Sequence, residues 1–160
     1  MITHSAHTLS VLIVEDREDV AQSTAELLAL HGHTVRVARC GAEALEQTAG
    51  GAPDVVLVDI GLPDLDGWTV IRQIRARADD SQPVVVAVTG RCSERDRRAS
   101  TDAGIDLHLV KPVEPQFLTN LLSRIGDNKS AYLALHTPLA HAPHRGRDQL
   151  APGFDQEPGT

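Results

Sequence analysis

The sequence predicts an α/β fold built on one parallel sheet, and three observations point to it. Five short β-branched or aliphatic runs are spaced along residues 10–126, segments of helical period lie between them, and several runs are continuously apolar rather than alternating. Strands covered by helices on both faces have that last property, because neither face meets water.

The elements follow in order. Residues 11–14 read as the first strand. Residues 19–31 form a helix with Val20, Thr24, Leu27 and Leu28 on one side and Gly32 as its stop. After a second strand at 34–38, residues 42–49 make a short helix closed by Gly50 and Gly51. The third strand, 55–58, leads through a Gly/Pro/Asp loop to a helix at 68–78, where Trp68, Ile71, Ile74 and Ala78 align and Asp66 is placed to cap. A fourth strand at 84–88 precedes a helix at 93–103 that opens with Ser93 and Asp96 at capping-box spacing and stops at Gly104. The fifth strand is 107–110. The last helix, 114–125, carries Phe117, Leu118, Leu121, Leu122 and Ile125 on one stripe. Right-handed crossovers turn this alternation into a flavodoxin-like (βα)5 doubly wound sheet of strand order 2-1-3-4-5.

Composition narrows the function. Aromatic residues make up 2% of the chain, so the core must be aliphatic. A formal net charge of −7 argues against binding nucleic acid through phosphate contacts. No apolar run approaches the roughly 18 residues that span a bilayer, and residues 1–9 lack the charged and apolar regions of a signal peptide, so no membrane role is expected. Cys40 and Cys92 fit neither a disulfide framework nor a zinc spacing, which places the chain in the cytoplasm with both thiols reduced. Residues 1–9 are expected to be disordered. Residues 127–160, rich in Pro, His and Gly without sustained period, are expected to be a mostly disordered tail, with 132–135 able to dock locally.

Ligands of an open parallel sheet bind beyond the carboxyl ends of its strands, where strand order reverses. The first strand ends in Glu15 and Asp16, the third in Asp59, the fourth in Thr89, and the fifth runs into Lys111. Crowded carboxylates repel: two unit charges about 4 Å apart cost roughly 4 kcal/mol at an effective dielectric of 20. A raised pKa, the Lys111 cation or a bound metal can relieve this. An all-oxygen site with few protein ligands suits Mg²⁺, and a carboxylate whose charge is neutralised by cations can accept a phosphoryl group.

Four stretches, "VLIVEDRED", "VVLVDIGLPDLDG", "VVVAVTG" and "AGIDLHLVKP", resemble the signatures of receiver domains of two-component response regulators, in the family's order and spacing over residues 10–125. The resemblance implies a receiver domain at residues 10–126 in which Asp59 is the phosphoacceptor. It implies that Mg²⁺ is held by Asp16, Asp59, the backbone carbonyl of Gly61 and, through water, Glu15. Thr89 and Lys111 would hold the phosphoryl group, and the Lys111–Pro112 bond would be cis. A histidine kinase or phosphotransfer protein would be the donor. The chain would catalyse only the uptake and hydrolysis of its own phosphoryl group and signal through protein contacts, as a monomer or weak dimer. With no helix-turn-helix or catalytic domain following, a single-domain regulator is expected, while "GIDLHLVKPVEP" resembles the receivers attached to hybrid sensor kinases.

Some features depart from the family pattern. His108 stands where the family usually has the Tyr or Phe that switches rotamer with the threonine. Gly90 replaces a common Ala, and Arg91 is expected near the pocket mouth. The bland alternatives are that Glu15 and Asp16 cap the first helix and that Asp64 and Asp66 are turn and cap residues. A haloacid-dehalogenase-like phosphotransferase needs a second acid two residues after the nucleophile, where this chain has Gly61. A phosphorylation-independent binding module is the alternative function.

Overall fold

A computed structural model of the chain describes residues 7–90 and 93–129. The elements alternate as β1 (Ser10–Val14), α1 (Glu18–Leu30), β2 (Thr34–Ala38), α2 (Gly41–Thr48), β3 (Val55–Val58), α3 (Gly67–Arg77), β4 (Val84–Thr89), α4 (Glu94–Ala103), β5 (Leu107–Val110) and α5 (Pro115–Asp127). The five strands form one parallel sheet of order β2-β1-β3-β4-β5. The predicted fold and strand order are therefore those observed.

Alternating residues of the strands feed two aliphatic cores, one on each face. Leu12, Val14, Val56, Val58, Val85 and Ala87 pack with Val70, Ile71 and Ile74 of α3 on one side. Val11, Ile13, Val55, Leu57, Val84 and Val86 pack with Leu28, Leu118, Leu122 and Ile125 of α1 and α5 on the other. Each fully buried Val, Leu or Ile contributes about 1.5–3 kcal/mol, which is how a chain almost without aromatics holds its sheet.

The helices end where the sequence punctuates them. Gly104 adopts φ 84°, the left-handed conformation that closes α4. Ser93 and Asp96 make the reciprocal capping box, and the Asp66 carboxylate accepts from the Thr69 amide. The peptide bond Lys111–Pro112 is cis.

Three helix faces differ from expectation. In α1 the buried residues are Ala21 and Leu28, while Val20, Thr24 and Leu27 are half-buried along a groove facing the start of α5. A stripe of apolar residues fixes the side of a helix but not its rotation, and here the small Ala21 turns inward with Leu28. Phe117 is 53% exposed at the first turn of α5. Trp68 is only partly buried, and its indole N–H donates to the Ser100 hydroxyl at 3.0 Å.

Leu9, expected to lie before the domain, is 5% exposed and accepts from the Thr34 amide, while its own N–H donates to His33 Nδ1. At the other end α5 runs to Asp127, and Lys129 pairs with Asp54 at 3.1 Å. The expectations for residues 1–6, for the tail from 130 onward and for Arg91 and Cys92 lie outside the described residues.

Candidate functional site

The carboxyl edge of the sheet gathers what the strand ends predict. Parallel pairing of β1 with β3 sets Val14 beside Val58, so Glu15 and Asp59 leave the sheet side by side. The Asp59 amide donates to Val14 O at 2.9 Å, and the Glu15 amide to Ala38 O at 3.0 Å, which fixes both residues by backbone bonds. Carboxylate oxygens of Glu15, Asp16 and Asp59 all lie within 4.8 Å of one another. Glu15 is buried, Asp59 half-buried and Asp16 exposed, so the cluster opens to solvent on the Asp16 side.

Lys111 is the cation of this cluster. Its Nζ donates to Glu15 Oε2 at 2.7 Å and to Asp59 Oδ2 at 3.2 Å. It reaches there because its amide is anchored on Thr89 O at 2.8 Å, which ties the end of β5 to the end of β4. Burial works to lower the lysine's pKa, but the hydrogen bond to Glu15 and the charges of Asp59 and Glu15 outweigh it and hold the ammonium above its usual range. At Glu15 burial dominates and raises the pKa. The Lys111 hydrogen bond and the Arg17 N–H pull it down, and the Asp59 charge pushes it up. One lysine therefore serves two acids, one buried and one half-buried, and leaves the cluster short of positive charge.

The loop after β3 is held in shape by its own bonds. Asp59 Oδ1 accepts from the Gly61 amide at 2.9 Å, so Oδ2 faces Lys111 while Oδ1 is turned to the loop. At Gly61 it is thus the N–H, donating to Asp59 Oδ1, whose bond is defined. Gly67 donates to Ile60 O at 3.1 Å, and a Cβ there would meet Ile60 Cα at 2.8 Å and Asp59 O at 2.9 Å. Only glycine allows the loop to double back so closely on the residue after the acid. Asp64 accepts from the Gly41 and Ala42 amides at 2.8 and 3.0 Å, capping α2 from 23 and 22 residues away.

Thr89 is buried and lines, with Asp59, Gly61, Gly90, Trp68 and His108, a pocket of about 500 Å³ beside the cluster. Every site residue named from the sequence with a described position thus sits at this edge. Trp68 and Asp96 join the pocket lining as well. The spacing of Trp68 with Ile71 and Ile74 points to the core, and its place directly after the Asp59 loop is the signal that brings it to the site. Three carboxylate oxygens within 4.8 Å, one of them from the exposed Asp16, fit a hard cation that keeps part of its water, as Mg²⁺ does.

The comparisons agree with this geometry. The family model "Response regulator receiver domain" matches residues 11–123. Response regulator MprA of Mycobacterium ulcerans is 40% identical over 118 residues, covering 74% of this chain and 49% of that protein. MprA of Mycobacterium leprae is 40% identical over 117 residues, covering 73% and 49%. The chain thus spans about half the length of the curated relatives it matches, and the match concerns that half. Among solved structures, a CheY-like response regulator receiver domain protein from Methanospirillum hungatei superposes with a TM-score of 0.72 at 27% identity, over 78% of this chain and 98% of that one. CheY4 of Vibrio cholerae gives 0.67 at 25% identity over 74% and 98%. No described helix is long and apolar enough to cross a membrane. The strand order, the acids and lysine at the carboxyl edge, and the match across most of the chain agree: the chain belongs to the receiver domain family of two-component response regulators.

Proposed function

We propose that the chain is a phosphorylation-dependent signalling switch in which Asp59 accepts a phosphoryl group from a histidine kinase or phosphotransfer protein. The observation that carries this is the cluster itself: three carboxylates within 4.8 Å, two of them sharing Lys111. Carboxylates crowded in this way repel one another unless a cation joins them, and a cation held there is placed to neutralise an incoming phosphoryl group.

A carboxylate oxygen of Asp59 attacks phosphorus in line as the bond to the donor's ring nitrogen breaks, and the freed imidazole takes up a proton from water. Mg²⁺, when bound, supplies positive charge to the phosphoryl oxygens, held by Asp16, Asp59, the Gly61 carbonyl and, through water, Glu15. Lys111 gives the remaining positive charge. The Thr89 hydroxyl donates to a phosphoryl oxygen, and His108 responds to the change. The chemistry is confined to Asp59's own phosphoryl group. Output passes through protein contacts from a monomer or weak dimer in the cytoplasm, and the net charge of −7 supports protein rather than nucleic-acid partners for this unit.

The test is intact mass after incubation with Mg²⁺ and acetyl phosphate. Wild type is expected to gain one phosphoryl group, and Asp59→Asn or removal of Mg²⁺ to abolish the gain. If neither acetyl phosphate nor phosphorylated kinases modify wild type, the phosphorylation-independent binding module takes its place.

A further inference from the structure

His108 pairs with Ala87 of β4 and lines the pocket that also takes Asp59 and, from α4, Asp96. Both of its ring nitrogens are buried, and neither has a hydrogen-bond partner among the described residues. A neutral imidazole carries one donor and one acceptor. Leaving both unmet costs more than an apolar ring of the same shape would, so this state of the pocket is the unfavourable one for a histidine. The pocket of about 500 Å³ that His108 lines also holds Asp59, Thr89, Trp68 and Asp96. Burial lowers the ring's pKa, the charge of Arg97 lowers it further and Asp96 partly opposes, which keeps the ring neutral with a single N–H to give.

A phosphoryl group on Asp59 changes what that N–H can meet. When the Thr89 hydroxyl donates its one hydrogen to a phosphoryl oxygen, its own oxygen remains an acceptor inside the same pocket. We propose that His108 is a positioning residue for the phosphorylated state, its ring N–H donating to Thr89 Oγ while Thr89 donates to the phosphoryl group. This rests on the reading of Asp59 as acceptor. A phenyl ring in that place fills space but offers the threonine no donor, and a phenol carries its O–H beyond the ring's far edge. The second ring nitrogen is then an acceptor, and α4 supplies the matching donor type in Arg97, whose charge already acts on the ring. The chain thus stabilises its active state through a polar relay where an aromatic residue would act by shape.

The experiment titrates beryllofluoride with Mg²⁺ as the phosphoryl mimic and reads the fluorescence of Trp68, the chain's one tryptophan, which lines the pocket. Wild type, Asp59→Asn, His108→Phe and His108→Gln are compared. His108→Phe is expected to weaken beryllofluoride binding about fivefold, the equivalent of one net hydrogen bond. It is also expected to raise the urea midpoint of the unliganded protein, because two unmet nitrogens leave the interior. His108→Gln, which keeps an N–H, is expected to retain most of the affinity. A residue that only filled space would move stability and affinity together. Equal affinity in the Phe variant, or an equal loss with Gln, overturns the relay and leaves Asp59 as acceptor. No binding by wild type, matching Asp59→Asn, overturns both.

Discussion

Charge is buried at both edges of the sheet, and the two clusters are built on opposite plans. At the amino edge Arg75 of α3 meets Asp106 just before β5, Nη2 to Oδ2 at 2.8 Å, with Asp106 only 1% exposed. The same carboxylate oxygen accepts from the Val85 amide at 2.7 Å, and the guanidinium also donates to Gly104 O and Pro83 O. One positive charge answers one negative charge. At the carboxyl edge Glu15, Asp16 and Asp59 crowd together, and two of them share Lys111. The first arrangement joins a helix to the sheet and is balanced in charge. The second is short of a cation, and the deficit is what makes it receptive. Charge balance separates structural from functional burial here better than burial itself does.

The largest break in that comparison comes at the balanced end. Arg75→Met strands Asp106 in the interior without its partner and removes the bonds to Gly104 and Pro83. Loss of one member of a buried pair costs about 3–5 kcal/mol, which is a large share of a small domain's stability. Urea unfolding is expected to show that loss, while the added stability from saturating Mg²⁺ persists, because the acid cluster is untouched.

The opposite sign is expected at the other end. Asp59→Asn removes one of the two acids competing for Lys111 and leaves the 2.7 Å pair with Glu15 in place. It should raise stability by about 1 kcal/mol, the usual gain when a strained functional group is relieved. Mg²⁺ should do similar work for the unmodified chain: at a free concentration ten times its Kd, linkage gives about 1.4 kcal/mol. The urea midpoint of wild type is expected to rise with Mg²⁺, and that of Asp59→Asn to respond far less. A wild-type midpoint indifferent to Mg²⁺ would remove the deficit from the account of the site.

The two clusters were also unequally legible in the sequence. The acids and Lys111 could be placed because each terminates an apolar run, and a parallel sheet brings all such ends to one edge. The fold followed from those runs and from glycines such as Gly32 and Gly104. Arg75 and Asp106 escaped notice, since 31 residues separate them and nothing in either one's neighbours marks a partner. The half-exposed Phe117 and the rotation of α1 were missed for a related reason. Periodicity identifies an apolar stripe, but only packing decides which part of it turns inward. Asp64 was read as a turn or cap residue, yet the helix it caps begins 23 residues earlier.

That distant cap provides the smallest and most specific test. Asp64 ties the loop after Asp59 to the first amides of α2. Those amides hold its carboxyl at a pKa of about 2, against the ordinary 3.8. A carboxyl depressed in the folded state adds stability that is fully present above its unfolded pKa and is lost as pH falls through the folded value. The contribution of Asp64 is therefore constant above about pH 4 and disappears between there and pH 2. Asp64→Asn keeps an oxygen acceptor but cannot titrate, so it should lower stability slightly at neutral pH and flatten this part of the acid limb. Glu15 sets the contrast, since its raised pKa makes the folded chain favour the protonated form, and its contribution is lost as pH rises through that value. Stability measured from pH 2 to 6 in Asp64→Asn and Glu15→Gln should thus show the capped loop and the acid cluster pulling in opposite directions. If both variants keep the wild-type profile, the electrostatic distinction between the capped loop and the acid cluster fails.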